Sequence, residues 1–252
     1  MRAPPTADAG KRAQVHEPET GNRPHYDQPI ERMRRADAHW READYLAKRV
    51  MLADLKASRQ FARGRLLDVG CGNKPYADLF GPYVQSYIGV DSDPHHSRPD
   101  VAADVLHLPF APATFDTVLA TQVLEHVPHP DHMLEELSRV LKPSGHLILT
   151  APQYWPLHEV PHDYYRFTQF GLRHLIRASG LIPLHIEREG TAWTLIGQAM
   201  CNALRDRRGW HRLIPLINLL FGLLDRLCPD PRDTINYLVV ARKPPLEDAT
   251  QK

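Results

Sequence analysis

The sequence predicts an α/β fold, in which a mostly parallel sheet is covered by helices on both faces. Two observations predict it. From residue 65 onward, short runs rich in aliphatic and β-branched residues alternate with stretches of helical period, as in repeated β-α units. The runs are continuously apolar rather than alternating, as in strands that are buried on both faces. The 252 residues are enough to bury a large core.

The N-terminal part of the chain predicts a tail followed by helices. Residues 1–29 are rich in proline, alanine, glycine and charge, with almost no large aliphatic side chains. Such a composition buries too little apolar surface to offset the entropy lost on ordering, so we expect a flexible tail. Residues 30–62 carry apolar side chains at roughly helical intervals and predict one or two helices. The main domain is expected to cover residues 63–190.

Within the main domain, strands and helices are predicted in alternation. The strands are expected near 65–69, 86–90, 115–120 and 145–151, and the helices near 75–82 and 130–142. In parallel sheets, ligands bind beyond the carboxyl ends of the strands. The loops that follow these strands are therefore where the chemistry is expected.

The remainder of the chain predicts a helix at 170–179, a strand near 182–188 and, within the segment 233–252, a last strand near 234–242. A helical insertion, residues 191–232, separates these two strands. Its segment 210–228 is apolar over most of its circumference. Polar residues fall on one narrow stripe of that segment, at His211, Asn218, Gly222 and Asp225.

The apolar run inside segment 210–228 is too short to span a bilayer. Its apolar surface must nevertheless be covered by something. Four kinds of cover remain open: the fold's own surface, a second subunit, an apolar substrate and a membrane interface. We therefore expect a membrane-surface contact or a homodimer through 210–228 if the fold itself does not cover it.

Charge and cysteine content exclude several classes of function. Lysine and arginine number 31 against 30 acidic residues, a formal net charge of +1, so we expect no nucleic-acid partner. The cysteines at 71, 201 and 228 are far apart and show no C-x-x-C spacing, which fits a reducing compartment. The first residues lack the apolar stretch of a secretory signal, so a cytoplasmic location is expected.

Residues 158–163 read HEVPHD, which matches the zinc-protease pattern H-E-x-x-H. That pattern holds zinc only on a helix, where residues i and i+4 share a face. Pro161 lies inside it and would cost about 3 kcal/mol in a helix interior. We therefore predict a loop here and no metal bound by His158 and His162.

Residues 68–75, DVGCGNKP, follow the first predicted strand and precede a helix. Gly70 and Gly72 would let the backbone turn tightly and approach a ligand without a Cβ between them. Asp91 ends the second strand about twenty residues later, where a carboxylate can accept both hydroxyls of a ribose. Together these residues predict an adenosine-containing cofactor. Pro75 stands where a dinucleotide-binding loop has its third glycine, which disfavours NAD and FAD.

Four segments follow one another as "LLDVGCG", "YIGVDSDP", "AADVLHLPFAPATFDTVLATQVLEHV" and "LEELSRVLKPSGHLILTAP". In order and spacing they resemble the class I S-adenosylmethionine-dependent methyltransferases, close to the type-11 branch. The resemblance covers residues 65–170. It implies a Rossmann-like seven-stranded sheet with an antiparallel last strand, S-adenosylmethionine as the cofactor, and a small-molecule or lipid-linked acceptor of the methyl group.

The resemblance also assigns cofactor-binding roles to residues of these motifs. They are Asp68, Gly70, Cys71 and Gly72 beside the methionine part, Asp91 and Ser92 at the ribose, Asp104, Val105 and Leu106 at the adenine, and Gln122 near the methionine. Other interpretations stay open, since Asp104 could cap a turn and Cys71 could be a small packed residue. Lys74 replaces the third glycine of the family's G-x-G-x-G loop. His126 is interpreted as a core residue.

Residues 156–168, PLHEVPHDYYRFT, follow the fifth strand of the family pattern. They resemble a P-x-H-E-x-P-x-D-Y-Y-R-x-T stretch of methyltransferases of bacterial glycan or specialised-metabolite pathways, which implies an acceptor-side loop. A neutral imidazole suits a general base near pH 7, so His158 is predicted to deprotonate an oxygen acceptor, with His162 as a near equivalent. Glu159 or Asp163 would orient the ring, and Tyr165 and Arg166 would position the acceptor. The same side chains could instead lock the loop by hydrogen bonds. C-methylation of a quinone-like ring and a non-catalytic cofactor-binding scaffold remain alternatives.

Overall fold

The structure is a computed structural model that describes residues 36–95 and 97–245. In these residues, seven strands form one sheet, with helices packed on both faces. The flexible tail predicted at residues 1–29 lies outside the described residues, as does the beginning of the predicted helical segment 30–62.

The elements are numbered in chain order. The strands are β1 (Arg65–Val69), β2 (Ser86–Asp91), β3 (Val101–Ala102), β4 (Phe115–Thr121), β5 (Leu141–Pro152), β6 (Ile182–Glu189) and β7 (Asn236–Arg242). The α-helices are α1 (Tyr45–Ser58), α2 (Ala77–Phe80), α3 (Pro130–Val140), α4 (Gln169–Ala178), α5 (Ala192–Leu204) and α6 (Ile214–Leu227). Most of these elements coincide with the predicted ones to within a few residues.

The strand order in the sheet is β3-β2-β1-β4-β5-β7-β6. Neighbours from β3 to β5 are parallel, whereas β7 is antiparallel to both β5 and β6. The predicted Rossmann-like, mostly parallel seven-stranded sheet with an antiparallel last strand is therefore confirmed. The sequence analysis missed β3 because a strand of two residues carries no periodicity.

Alternate residues of the central strands face two separate hydrophobic cores. Leu67 of β1 packs in the core formed with α3 and α4, while Leu66 packs on the opposite face with α1 and α2. Successive side chains of a strand point to opposite faces of the sheet. Each central strand therefore needs apolar residues at consecutive positions, which accounts for the continuous apolar runs of the sequence.

The direction of strand addition reverses at β1, which lies between β2 and β4. The chain adds β2 and β3 on one side of β1 and then crosses back to add β4 and β5 on the other. The loops after β1 and β4 consequently leave the sheet in opposite directions. They open a crevice at the carboxyl ends of the strands, which is where sheets of this kind bind ligands.

The helical insertion is a hairpin of α5 and α6 that packs on α1. Gly197 of α5 permits close contact with α6, since a Cβ at this position would lie 2.6 Å from the Cβ of Phe221. The side-chain amide of Asn218 donates hydrogen bonds to the carbonyls of Trp40 and Glu42, at 2.9 and 2.8 Å. The hairpin is thus joined to the chain that leads into α1.

The polar stripe of the insertion faces inward over most of its length. Asn218 is buried, and the carboxylate of Asp225 contacts the guanidinium of Arg49 in α1 at 2.6 Å. Gly222 lies partly buried, whereas His211 is exposed. The fold's own surface therefore covers one side of α6, burying Ile214, Ile217 and Phe221. Leucines on the other side of α6 are exposed.

We expect Gly197→Ala to destabilise the protein by about 1–3 kcal/mol, because the added methyl overpacks the contact between α5 and α6. Gly171→Ala in α4 is the matched control. Its Cβ would approach nothing closer than 3.5 Å, from the Thr168 hydroxyl oxygen, so the better helix propensity of alanine should leave it unchanged or up to about 1 kcal/mol more stable. Urea unfolding measures both. A Gly197→Ala protein as stable as the wild type would contradict the described packing.

Candidate functional site

The crevice at the carboxyl ends of β1, β2 and β4 contains two cavities of about 390 and 380 Å³. Both are lined by Gly70, Asp91, Ser92, Val123 and His126. Because they share these walls, they are two lobes of one cleft. The larger is called here the first lobe and the other the second lobe.

The loop after β1 forms the wall between the lobes. Gly70 and Gly72 have left-handed backbones, with φ of 64° and 51°. A Cβ on Gly70 would stand 2.3 Å from a methyl carbon of Val123, in the segment after β4, so only glycine fits. The N–H of Gly72 donates to the carboxylate of Asp91 at 2.9 Å, which fastens the loop to the end of β2.

Lys74 occupies the loop position at which the family that this sequence resembles has a glycine. Its backbone is left-handed as well, with φ of 54°. The ammonium of Lys74 lies 2.7 Å from a carboxylate oxygen of Asp100, whose other oxygen accepts the N–H of Gly89 at 2.7 Å. The substitution therefore keeps the handedness of the loop and adds an ion pair that ties it to the segment before β3.

Asp91 and Ser92 line both lobes at the end of β2. One carboxylate oxygen of Asp91 accepts the N–H of Gly72 and the other accepts the N–H of Asp93, at 2.9 and 3.0 Å. These two bonds fix the orientation of the carboxylate. A ribose in the cleft would meet a carboxylate that is already oriented.

The predicted adenine-side residues Asp104, Val105 and Leu106 line the second lobe. Asp104 also caps its own turn, since its carboxylate accepts the N–H of Leu106 at 2.9 Å. The side chains of Val105 and Leu106 pack against the core that contains α3 and α4. Both interpretations of Asp104 from the sequence are compatible with this placement.

Asp68 and Cys71 differ in their access to the cleft. Asp68 is buried beneath the loop and lines neither lobe, and it accepts a hydrogen bond from the hydroxyl of Tyr87. Burial raises the pKa of Asp68 to about 7. Cys71 lines the first lobe, and burial raises the pKa of its thiol to about 12. Such a thiol is a packing residue rather than a nucleophile.

Gln122 lines the first lobe just after β4, with a left-handed backbone at φ 55°. Its side-chain amide donates to the hydroxyl of Thr150 and to the side-chain carbonyl of Asn236, both at 3.1 Å. The amide is thus held by β5 and β7 at the edge of the lobe.

The HEVPHD segment is a loop, as predicted, within the irregular stretch between β5 and α4. The rings of His158 and His162 have separate partners. His158 Nδ1 lies 3.2 Å from the carboxylate of Asp163, and His162 Nδ1 lies 3.1 Å from the hydroxyl of Tyr164. His158 lines the first lobe, whereas His162 lines the second.

Asp163 and Arg166 lock this loop by a bidentate ion pair, with N–O distances of 2.7 and 2.8 Å. Arg166 also donates to the carbonyl of Trp155, and the backbone N–H of His158 donates to Asp163. Burial alone would raise the pKa of Asp163, but the bonds from Arg166 and His158 hold that pKa below its usual value. The carboxylate therefore stays ionised beside the imidazole.

Tyr165 and Arg166 line neither lobe. The hydroxyl of Tyr165 donates to the carbonyl of Pro128 at 3.0 Å. The polar atoms of both side chains contact the protein itself, which favours the loop-locking role over direct contact with an acceptor.

His126, which the sequence analysis interpreted as a core residue, lines both lobes and meets His158 edge to face. The ring centroids are 4.6 Å apart with an interplanar angle of 77°. His126 Nδ1 lies 2.7 Å from the carbonyl of His162, and His158 Nδ1 faces the carbonyl of Pro156 and the carboxylate of Asp163. Since these partners only accept, Nδ1 carries a proton in both rings, and in the neutral form of His158 the lone pair is on Nε2.

The pKa of His158 lies below its ordinary value of 6.5, because burial disfavours the cation and His126 lies beside it. The carboxylate of Asp163 acts in the opposite direction but does not reverse the shift. The imidazole of His158 is therefore neutral near pH 7 and can accept a proton at Nε2.

Glu125 is a further residue that the sequence analysis missed. It is fully buried, and neither of its carboxyl oxygens has a hydrogen-bond partner among the described residues. Burial raises its pKa to about 8. A potential metal-ligand atom from each of Glu125, His126 and His158 lies within 4.8 Å of the others. The signal in the sequence was the acidic residue between Leu124 and His126 in the run "VLEHV", which directly follows an apolar strand.

Among the described helices, none combines the length and the apolar character needed to cross a bilayer.

A family of proteins described as "Methyltransferase domain" matches residues 38–204, which include β1 to β6. An uncharacterized methyltransferase of Mycobacterium avium (strain 104) is 40% identical over 101 residues. That match covers 35% of this chain and 40% of the mycobacterial protein. The chain thus spans less than half the length of this relative.

Solved structures share the fold at lower identity. The [4+2]-cyclase SpnF has a TM-score of 0.56 at 22% identity, covering 80% of this chain and 83% of the cyclase. An S-adenosylmethionine-dependent methyltransferase from Mesorhizobium loti has a TM-score of 0.52 at 18% identity, and the match covers 79% of this chain and 100% of that methyltransferase. At these identities the likeness shows the fold alone, and the cyclase illustrates that the fold hosts more than one reaction.

We expect the purified protein to contain no stoichiometric metal. Metal ligands must be deprotonated, so a metal ion here would have to displace the proton that burial favours on Glu125. Elemental analysis by mass spectrometry measures the content in the wild type, in His158→Ala and in the control His162→Ala. One metal ion per chain that is retained in His162→Ala and lost in His158→Ala would refute this expectation.

Proposed function

This chain belongs to the methyltransferase domain family, and from that premise we propose that it transfers a methyl group from S-adenosylmethionine to an oxygen acceptor, a hydroxyl group of a small or lipid-linked molecule. The observation that carries the oxygen acceptor is the neutral imidazole of His158. It lines the same lobe as the glycine loop, with its Nδ1 held by Asp163.

The residues of the cleft fit S-adenosylmethionine. Gly70 and Gly72 leave the wall of the first lobe without side chains, and Asp91 presents an oriented carboxylate where the two lobes meet. The second lobe offers Val105 and Leu106 as apolar flanks for a purine. When bound, S-adenosylmethionine supplies an already activated sulfonium methyl group.

Alignment is the main contribution that this chain makes to methyl transfer. Holding two reactants in line lowers the activation free energy by about 7–11 kcal/mol. Here the acceptor-side loop is rigidly held by the ion pair of Asp163 and Arg166 and by the hydrogen bond from Tyr165 to Pro128. In this proposal Tyr165 and Arg166 are positioning residues, which fix the wall against which the acceptor lies.

His158 takes the proton of the acceptor hydroxyl at Nε2 as the oxygen becomes nucleophilic. Asp163 accepts the hydrogen bond from Nδ1, which keeps the ring in the required tautomer and stabilises the imidazolium that forms. His126, packed edge to face against the ring, restricts its rotation. A general base in this position contributes about 10²–10⁴ to the rate.

Asp91→Ala should weaken binding of S-adenosylhomocysteine about ten- to a hundred-fold, because the loss of hydrogen bonds from a charged group costs roughly 1.5–3 kcal/mol. Asp131→Ala, which removes an exposed carboxylate of α3, is the control and should bind normally. Titration calorimetry measures both, and NAD should give no heat with either. Unchanged binding in Asp91→Ala would remove the ribose role from Asp91.

His158→Ala should lower kcat by about 10²–10⁴ while the affinity for S-adenosylhomocysteine stays within about threefold. Phenols, sugars and lipid-linked sugars are first screened for a hydroxyl acceptor. Turnover with that acceptor is then measured as the release of S-adenosylhomocysteine. His162→Ala is the matched control and should retain activity. Full activity in both variants would exclude histidine from the mechanism and favour an acceptor, such as an activated ring carbon, that needs only alignment.

The pH profile of kcat tests the same role independently. A general base works only when it is unprotonated, so activity should be present above the pKa of His158 and fall as the pH drops through it. Since that pKa lies below 6.5, the acidic limb should have its midpoint below 6.5 and should be missing from the residual activity of His158→Ala. An acidic limb that persists unchanged in the variant would assign it to another group.

A further inference from the structure

The outer side of α6, together with the turn before it, combines exposed apolar side chains with a group of arginines. We infer that this surface, called here the leucine face, binds the headgroup region of an anionic lipid bilayer. The leucine face consists of Trp210, Leu213, Leu216, Leu219, Leu220, Leu223 and Leu227.

The leucine face is continuous along the helix. Its members are between 41% and 67% exposed, and the positions 216, 219, 220, 223 and 227 recur at the intervals of three and four residues that place side chains on one side of an α-helix. Ile196 and Met200 of the adjoining helix α5 are exposed as well. Single-domain proteins seldom leave so many large apolar side chains together in water.

The orientation of α6 is fixed by its opposite side, so rotation of the helix does not offer another way to bury the leucines. Asn218 donates to the carbonyls of Trp40 and Glu42. Asp225 accepts hydrogen bonds from Arg49 and from Thr191, the latter at 2.7 Å. Turning the leucines inward would bring these groups out of their contacts.

The parts of the chain outside the described residues are poorly suited to cover the leucine face. Residues 1–35 contain no leucine and no phenylalanine, and their only branched aliphatic side chains are Val15 and Ile30. Residues 246–252 contain one large aliphatic side chain, Leu246. Residues 1–35 and 246–252 therefore offer the leucine face little apolar surface.

The exposed positive charge beside the leucine face favours an anionic binding partner. Arg205, Arg207, Arg208 and Arg212 are exposed around Trp210, at the end of the hairpin where the leucine face begins. Each basic side chain near an anionic bilayer strengthens binding roughly fivefold, and tryptophan favours the interface between headgroups and acyl chains. A second copy of this chain packed with its α6 parallel would set these arginines against one another. An antiparallel copy would place them at the Leu227 end of the partner helix, where Arg226 is also exposed. An anionic lipid surface satisfies both the leucines and the arginines.

The arrangement is that of an amphipathic helix lying in the plane of an interface rather than crossing it. Helices of this kind insert their apolar side between headgroups and keep basic side chains at the phosphate level. Because the hairpin is already folded, its binding does not require the loss of conformational entropy that accompanies binding of a disordered segment. Binding to the bilayer is independent of the proposed methyl transfer, so either can fail without the other.

Co-sedimentation of the full chain with vesicles tests the inference. Vesicles of phosphatidylcholine mixed with an equal amount of phosphatidylglycerol should retain the protein, pure phosphatidylcholine should retain much less, and added salt should release it. The double variant Leu219→Ser/Leu223→Ser should lose at least about tenfold in partitioning. Arg207→Gln/Arg208→Gln should lose the preference for anionic vesicles.

Phe170→Ser is the matched control, because Phe170 is an exposed apolar residue on α4, outside the leucine face. It should bind vesicles like the wild type. All variants change exposed residues, and circular dichroism with urea unfolding must show an unchanged fold before binding is compared. Failure of the wild type to bind anionic vesicles would overturn the inference. So would binding that survives in the double leucine variant, or a dimer, seen by light scattering, that the leucine substitutions dissociate.

Discussion

The contact between Gly70 and Val123 is the constraint on which the cleft depends. It brings the loop after β1 against the segment after β4, at the place where the sheet reverses its order of strands, and it leaves no room for a Cβ on Gly70. On either side of this contact lie the two lobes of the cleft, and both are lined by the end of β2 and by the loop between β5 and α4. The glycine loop and His158 therefore line the same lobe.

Much of this organisation is readable from the sequence because it depends on short-range patterns. Continuous apolar strands, the turn at Gly70 and the acid ending β2 all follow from local residue choice, and they placed the cleft correctly at the carboxyl ends of the strands. The grouping of His126 with His158 could not be predicted, since it depends on how the loop between β5 and α4 folds back over the segment after β4. The same holds for Arg166, whose hydrogen bonds go to its own loop rather than into the cleft.

Burial lowers the negative charge at the carboxyl ends of the parallel strands below what the number of acidic residues there suggests. Asp68, Glu125 and Glu189 lie at or just beyond the ends of β1, β4 and β6, and burial raises their pKa values to about 7, 8 and 8. Near pH 7 these acids carry much less negative charge than three carboxylates in water. Asp91, whose carboxylate is oriented by two N–H donors, lines both lobes of the cleft, and Asp163 lies beneath His158 in the loop between β5 and α4.

The place of β7 between β5 and β6 has a consequence for the order in which the molecule forms. Among the described residues, β6 pairs only with β7, and β7 is the last strand. During synthesis, the backbone groups of β6 and of the outer edge of β5 therefore stay unpaired until the α5–α6 hairpin and then β7 have been made. Unpaired strand edges invite association with other chains. A hairpin that collapses early onto α1 would ease the pairing of β7 once it is made, because the two ends of the insertion would already lie close together.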